Sequence, residues 1–488
     1  MIHFRLLLAT VGLIGSMARA GVVPASSGFI NPISNPKAKP FHVSRNVPGI
    51  PFALNDSYAG YLPVSKGDTS REIFFWMFPA DTPTNNTVLW LQGGPGCSGF
   101  EGLFEESGPI SLLPNSTKVI KNPYSWTRAA NMIFVDQPIG TGLSRGTVKV
   151  RNEKDVSREL IGFLENFFDV FQELKGNPFY ITAESYGGMY GPYLADAIHS
   201  RPDAVNAKAG INLKGLATID AILNEYWGGE EIPALPYAIA HQHDLKLSDD
   251  FLKRLTANAS AGGILGYLDK WLTYPPKGRL PVPQVFFDNP DFSIWNSINE
   301  EARARIGPSY NAYNTRPEWS WYAYQDPLGE SQDLGFSATN FVNNVKGFKE
   351  AIHADPSIQW RLCGTRQHVF VNDTDTSPAP DNGVLNRVID RNTRTLIQHG
   401  LQDFVLIANG TRLAIQNTTF GGLQGFQKQP HRQFIVDGKV EGTYHHERKL
   451  TYIEYKNAGH EIPFFVPDGA FKALRYLVGD ISVHELGN

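Results

Sequence analysis

Ser185 lies in Ala183-Glu-Ser-Tyr-Gly-Gly188, between Phe179-Tyr-Ile-Thr182, which reads as a buried strand, and Met189-Tyr-Gly-Pro-Tyr-Leu-Ala-Asp-Ala-Ile198, which reads as a helix. The serine is therefore on a sharp strand-to-helix turn. Such an elbow holds its nucleophile at strained backbone angles, and only small flanking residues avoid a clash with the strand or the helix. Ala183 and Gly187 meet that need, with Ala where the bare G-x-S-x-G pattern has Gly. About ninety residues earlier, Trp90-Leu-Gln-Gly-Gly-Pro-Gly-Cys-Ser-Gly99 follows the strand Thr87-Val-Leu-Trp-Leu91. Its glycines let backbone N–H groups point into a cleft where an oxyanion could form. A Gly-Gly-Pro-Gly turn alone is common and needs no ligand. Ahead of a nucleophile elbow it implies a hydrolase.

A serine attacks only when a base takes its proton, and on this kind of strand–elbow–helix scaffold the acid and the histidine follow the nucleophile in the chain. Thr395-Leu-Ile-Gln-His399 reads as a strand followed by Gly400-Leu-Gln-Asp403, which puts Asp403 just past a strand end. Thr451-Tyr-Ile-Glu-Tyr455 reads as another, followed by Asn457-Ala-Gly-His460. His460 is preferred among the 13 histidines for its order, its strand-end location and the Gly before it. His241-x-His243 and His445-His446 lack the further ligands of a metal site and are read as surface residues, so neither metal nor cofactor is expected.

These elements sit in a chain whose strand and helix patterns alternate from Ser57 to about Ala221, as a mainly parallel sheet demands. Between Leu223 and Ser337 the texture changes to Pro-rich and aromatic-rich pieces such as Tyr274-Pro-Pro-Lys-Gly-Arg-Leu-Pro-Val-Pro283. We read residues 223–337 as a lid inserted between two core segments, 41–222 and 338–488. With 488 residues, 42% hydrophobic, the chain can build one large α/β core with such an insert. A net charge of −4 without a basic block excludes nucleic acid or an anionic membrane as an expected partner.

The sequence resembles the serine carboxypeptidases, the peptidase branch of the α/β-hydrolase fold, and among them the secreted fungal type. The resemblance rests on Ser57-Tyr-Ala-Gly-Tyr-Leu62, Trp90 to Ser98, Phe134-Val-Asp-Gln-Pro-Ile-Gly-Thr-Gly-Leu-Ser144, Glu184 to Gly188, Trp360-x-x-Cys363 and Ala458-Gly-His460, in order over most of the chain. It implies Ser185 as nucleophile, His460 as base, Asp403 as its orienter, and the N–H groups of Gly94 and Tyr186 as oxyanion hole. The substrate would be a peptide or protein with a free C-terminus. Its terminal carboxylate would be met by Trp90, Gln92, the backbone of Gly93 and Glu184, with Glu184 bonded to Glu106 through a shared proton. Glu461, where many relatives have Met, would line the pocket for the departing residue and attract Lys or Arg.

Three departures stand out. The carboxylate-binding amide is Gln92 where the family usually has Asn. His399-Gly-Leu-Gln-Asp403 lacks an Asp that often follows the Gly, and Thr218-Ile-Asp-Ala221 replaces the usual Gly-Asn-Gly turn. Two other readings keep the fold but change the activity: an acyltransferase, in which an alcohol or amine replaces water, and a non-catalytic binding partner. The intact Ser185, Asp403 and His460 argue against the last.

Residues 1–20 read as a signal peptide, with Arg5 ahead of an apolar stretch too short to span a bilayer and Ala18-Arg-Ala20 as cleavage site. Residues 21–40 read as a flexible lead or short propeptide. Secretion is expected, with a vacuolar or lysosomal address as the alternative and no membrane insertion. In that setting the only two cysteines, Cys97 and Cys363, are expected to pair, as the resemblance also implies. Sequons at Asn55, Asn85, Asn115, Asn258, Asn372, Asn409 and Asn417 are candidate glycosylation sites.

Overall fold

A computed structural model describes residues 33–112, 119–316, 338–363 and 369–488. The expected signal peptide and the sequon at Asn115 lie outside these residues. The strands run in chain order as β1 (His42–Val43), β2 (Ser57–Pro63), β3 (Glu72–Phe78), β4 (Thr87–Leu91), β5 (Ile110–Leu112), β6 (Val119–Lys121), β7 (Asn131–Asp136) and β8 (Pro178–Glu184). They continue as β9 (Asn212–Ile219), β10 (Arg394–Gly400), β11 (Thr419–Phe420), β12 (Leu423–Gln424), β13 (Arg432–Val436), β14 (Lys439–Glu447) and β15 (Leu450–Tyr455). Eleven of them form one sheet in the order β1-β2-β3-β7-β4-β8-β9-β10-β15-β14-β13.

The centre of that sheet, from β7 through β4, β8, β9 and β10 to β15, is parallel. Both edges turn antiparallel. Parallel strands are covered on two faces and so carry continuous rather than alternating apolar runs. Thr87-Val-Leu-Trp-Leu91 is buried at every position, as is Asn131-Met-Ile-Phe-Val-Asp136. Helices α1 (Glu153–Val170) and α2 (Gly187–Ser200) cover one face with Phe163, Phe167, Tyr190 and Leu194. Helices Ala338–Asn344 and Pro467–Val478 cover the other.

The described residues between β9 and β10 form a long excursion from the sheet. Its first part is more helical than its Pro-rich texture suggests, with helices at Ile232–Ala240, Asp249–Ala261, Tyr267–Trp271, Val285–Asp288 and Ile294–Ile306. Ser248 and Ser293 start two of them by accepting the N–H of Phe251 and Asn296. These helices bury their own apolar cluster, closed by Phe404, Ile407 and Leu413 of the core.

The expected flexible lead over 21–40 is tied down from Ser34 onward. Ser34 and Asn35 donate to Glu173, residues Pro36–Phe41 form a 3₁₀ turn with Ala38 buried, and Phe41 packs on Phe75 and Phe171. Pro and Asn in this stretch build a turn and its cap rather than a loose tail.

Candidate active site

The C-terminal ends of β4, β8, β9, β10 and β15, five neighbours in the sheet, face one place. Ser185 follows β8 directly and has φ +58, a left-handed angle that non-glycine residues adopt at a cost. Its N–H donates to Ile219 O at 3.0 Å, and its carbonyl accepts from Gly188 at 2.9 Å and Ile222 at 3.0 Å, so the end of β9 holds the elbow. The glycine loop after β4 touches it directly. A β-carbon on Gly93 would stand 2.6 Å from Ser185 Cβ and 2.7 Å from Tyr186 N, which only glycine avoids. Gly94 has φ +107, and neither its N–H nor that of Tyr186 has an acceptor among the described residues. Two free donors beside a nucleophile are what an oxyanion requires.

This loop is anchored from behind. Cys97 is bonded to Cys363, Ser98 N donates to Leu362 O at 2.7 Å, and the Trp360 indole donates to Ser98 Oγ at 3.0 Å. Asp136, at the end of β7, accepts from Ser98 Oγ, from Gly99 N at 3.1 Å and from Leu143 N at 2.7 Å. Burial raises its pKa to about 6 against the pull of those hydrogen bonds. The stretch Phe134 to Ser144 thus acquires a physical role: its Asp136 staples two loops.

Asp403 turns Oδ1 to the N–H groups of Val405 at 2.8 Å and Leu406 at 3.1 Å, and Oδ2 to His460 Nδ1 at 2.7 Å. Both residues are buried. Burial pulls the His460 pKa down, but the Asp403 charge and hydrogen bond, with Glu184 beyond, leave it above its ordinary value. Ser185 Oγ makes no hydrogen bond among the described residues; such bonds are often loose before substrate binds. The helical excursion supports this arrangement. Trp295 stacks on Phe404 and donates to its carbonyl at 2.7 Å, Phe404 N donates to Ala312 O at 2.9 Å, and His460 N donates to Tyr313 O at 2.8 Å.

Beside Ser185 lies a set of buried carboxyl groups. Trp90 Nε1 donates to Gln92 Oε1 at 2.7 Å, and Gln92 Nε2 donates to Glu184 Oε1 at 2.7 Å. The Trp90 indole is therefore spent on Gln92. Expected to meet the substrate carboxylate itself, it orients the longer amide that replaces Asn, and Gln92 keeps one N–H for a ligand. Glu106 faces Glu184; burial first, then the Glu184 charge, push its pKa well above the carboxylate range. Burial raises the Glu184 pKa too, while Glu106, Gln92 and His460 lower it.

The serine carboxypeptidase family matches residues 48–480. The chain belongs to the serine carboxypeptidase family. A carboxypeptidase Y homolog of Arthroderma benhamiae is 35% identical over 458 residues, covering 91% of this chain and 88% of its own. The serine-type carboxypeptidase F of Aspergillus niger is 30% identical over 478 residues, with 91% and 88% covered. The crystal structure of a prohormone-processing carboxypeptidase of Saccharomyces cerevisiae superposes with a TM-score of 0.72 over 92% of this chain and 97% of that one, at 22% identity. The fold is thus the α/β-hydrolase fold of these peptidases, and the activity is that of a serine carboxypeptidase acting on peptides.

Other features of this carboxypeptidase differ from the sequence reading or escape it. Glu461 neither turns to solvent nor bonds the helical insert. It is 1% exposed, neither carboxyl oxygen has a hydrogen-bond partner, and Glu184, Glu101 and Asp403 surround it, so burial and these charges raise its pKa well above normal. His445, read as a surface residue, is 5% exposed and bonds Glu447 at 2.9 Å, because its strand is covered by Phe426. Asn55, Asn85, Asn258 and Asn372 are exposed, and Asn409 is half-buried. Asn417 is also half-buried and donates its amide to Asp381 at 2.9 Å, a bond that a glycan there would displace.

Two residues in the segments that depart from the family pattern have no role in the sequence reading, because each looks like an ordinary strand-end side chain: Asp220 and His399. Together with Asp403 they bring three possible ligand atoms within 4.8 Å of one another. The arrangement is hydrogen-bonded rather than metal-like. His399 Nε2 lies 2.9 Å from Leu406 O, which can only accept, so that nitrogen carries a proton, and Asp403 Oδ2 is taken by His460. No helix among the described residues is long and apolar enough to cross a membrane.

Proposed function

We propose that Ser185, His460 and Asp403 are the catalytic triad of this serine carboxypeptidase and that Gly94 and Tyr186 N–H groups form its oxyanion hole. The observation that carries this is the buried 2.7 Å His460–Asp403 hydrogen bond beside a serine held at φ +58. Ser185 Oγ attacks the last peptide carbonyl while its proton passes to His460 Nε2. The C–N bond then breaks as that proton moves to the departing amine, releasing the C-terminal residue and leaving an ester on Ser185. Water repeats the sequence, and the two N–H donors stabilise both tetrahedral states, each donor by about 3 kcal/mol.

Gln92, Gly93, Glu184 and Glu106 receive the free carboxylate, with Trp90 orienting Gln92. An anion is accepted here without Lys or Arg because Glu106 carries a proton. As pH rises and that proton leaves, peptide affinity falls; as pH falls, His460 protonates and the base is lost. The carboxyl pair thus gives an acid preference in peptide binding, bounded on its acid side by His460. Glu461 lines the pocket of the departing residue. Residues 223–337 act as a lid, a reading supported by the apolar cluster that the helices within 232–306 build and by the hold of Trp295 on the Asp403 loop. Secretion is supported by the single disulfide and the exposed sequons. A serine-directed phosphonate should modify the peptide containing Ser185 and not the Ser185→Ala variant. Activity persisting in pure Ser185→Ala protein would refute the assignment. Product analysis with a peptide against an activated ester plus amine acceptor separates hydrolysis from acyl transfer.

A further inference from the structure

The sheet places one strand, β9, between the nucleophile strand β8 and the acid strand β10. The residue that follows it, Asp220, is fully buried at φ +39, a strained angle for a non-glycine residue. Its Oδ1 accepts Gly400 N at 2.8 Å, and Gly400 O in turn accepts Asp403 N at 3.3 Å. Asp220 Oδ2 has no partner. His399, the residue before Gly400, is equally buried. Its Nε2 donates to Leu406 O at 2.9 Å and lies 3.3 Å from Asp220 Oδ1 and 4.0 Å from Asp403 Oδ2; its Nδ1 is 2.8 Å from Thr411 Oγ1.

These contacts enclose the Asp403 turn from both ends. Leu406, whose carbonyl His399 holds, is one of the two residues whose N–H fixes Asp403 Oδ1. Gly400, whose N–H Asp220 holds, starts the turn. We propose that Asp220 and His399 are positioning residues of the reaction: a second carboxyl–imidazole pair that clamps the Gly400–Leu406 turn and so fixes the angle at which Asp403 meets His460. The inference rests on the triad reading given above.

Charge supports it. The groups facing Asp220 are the Asp403, Glu184 and Glu461 carboxyls, the His399 ring and the Tyr455 phenol; burial first, then Asp403, push its pKa well up, which keeps it neutral. The groups facing His399 are Asp403, Asp220, His460 and Glu454; burial outweighs the carboxylates and lowers its pKa. A neutral pair holds the turn by hydrogen bonds without setting a second charge against the Asp403 carboxylate.

The test uses the full-length enzyme and a good peptide substrate, reading kcat, KM and the downfield proton resonance of the His460–Asp403 hydrogen bond. His399→Leu, which removes the donor to Leu406 O, should lower kcat by about tenfold or more with KM within about threefold, and should move the resonance. His399→Gln, whose amide can still donate there, should recover kcat to within about threefold. Asp220→Ala and Asp220→Asn should form the same pair, since Asn offers Gly400 an acceptor and no charge. Thr411→Val removes only a hydroxyl and serves if His399→Leu fails to fold; it should move the resonance and lower kcat. Folded Leu or Val variants with an unmoved resonance and kcat within about twofold would overturn the proposal, as would Gln or Asn variants no better than Leu or Ala. Phosphonate labelling of Ser185 keeps the two readings apart: it persists if only this inference fails, and its absence in the wild type sinks the triad.

Discussion

Replacing Glu461 by Gln should change which residue this enzyme releases, and the structure fixes the sign. The carboxyl is 1% exposed and has no hydrogen-bond partner, so a Lys or Arg side chain entering the pocket would give it its first donor. A charge-assisted hydrogen bond contributes about 1.5 to 3 kcal/mol net, which is about tenfold to 150-fold in kcat/KM for C-terminal Arg over Leu. The contribution needs an ionised carboxyl. Because burial and the neighbouring Glu184, Glu101 and Asp403 raise the Glu461 pKa, the group is neutral at low pH and gains its charge only as pH climbs through that raised value. The Arg-to-Leu ratio should therefore be small in acid and grow with pH in the wild type. In Glu461→Gln, a neutral isostere, and in Glu461→Met, it should stay flat. The assay compares two peptides differing only in the last residue, in mixture, so that the ratio is independent of active-site concentration and of His460 titration. A wild-type ratio that does not vary with pH, or one equal in all three proteins, would refute the reasoning.

Ser185→Ala should abolish turnover while leaving the melting temperature within a few degrees, read by peptide hydrolysis and thermal unfolding. Gly93→Ala should lower kcat strongly, because its methyl would lie 2.6 Å from Ser185 Cβ, and a crystal structure should show the elbow or the loop displaced. Replacing both Cys97 and Cys363 by Ser frees a link spanning 266 residues and should cost up to about 5 kcal/mol on the loop-entropy model, measured by denaturant unfolding. For peptides, kcat/KM should fall on both sides of an optimum, whereas a C-terminally blocked ester should keep only the acid-side loss set by His460. Parallel profiles for the two substrates would remove the shared proton from the account.

What was legible in the sequence is what leaves a local trace. The elbow and the glycine loop are written in short windows where small residues interrupt apolar strands, and Asp403 and His460 each follow a recognisable strand. Their meeting at 2.7 Å follows from β10 and β15 being parallel neighbours. The partners of buried polar groups leave no such trace. Glu101 to Glu106 looks like a solvated acidic run, yet both ends are buried, and only the family resemblance pairs Glu106 with an acid 78 positions later. Asp136, Asp220 and His399 each read as one polar residue closing a strand. Only the strand order, which sequence patterns do not determine, reveals that these ends share one space. The helices of the insert were hidden by the Pro-rich connectors between them.

That shared space explains why its carboxyl groups resist ionisation. Asp220, Glu106, Glu184 and Glu461 all have raised pKa values, and burial is the first cause for each, because five parallel strand ends and a helical insert exclude the water that would solvate several anions at once. Asp403 differs from them in accepting three hydrogen bonds, one from the His460 imidazole. The remaining acids are better treated as hydrogen-bonding groups that can lose a proton than as fixed charges. Each is then sensitive to what enters beside it: a substrate carboxylate favours the protonated form of Glu106, and a substrate ammonium or guanidinium favours the ionised form of Glu461. Because the Glu184 charge acts on both carboxyls, their opposite responses should couple recognition of the terminal carboxylate to recognition of the terminal side chain. Removing the Glu461 charge should accordingly extend peptide binding to higher pH, because one fewer anion then opposes the incoming carboxylate.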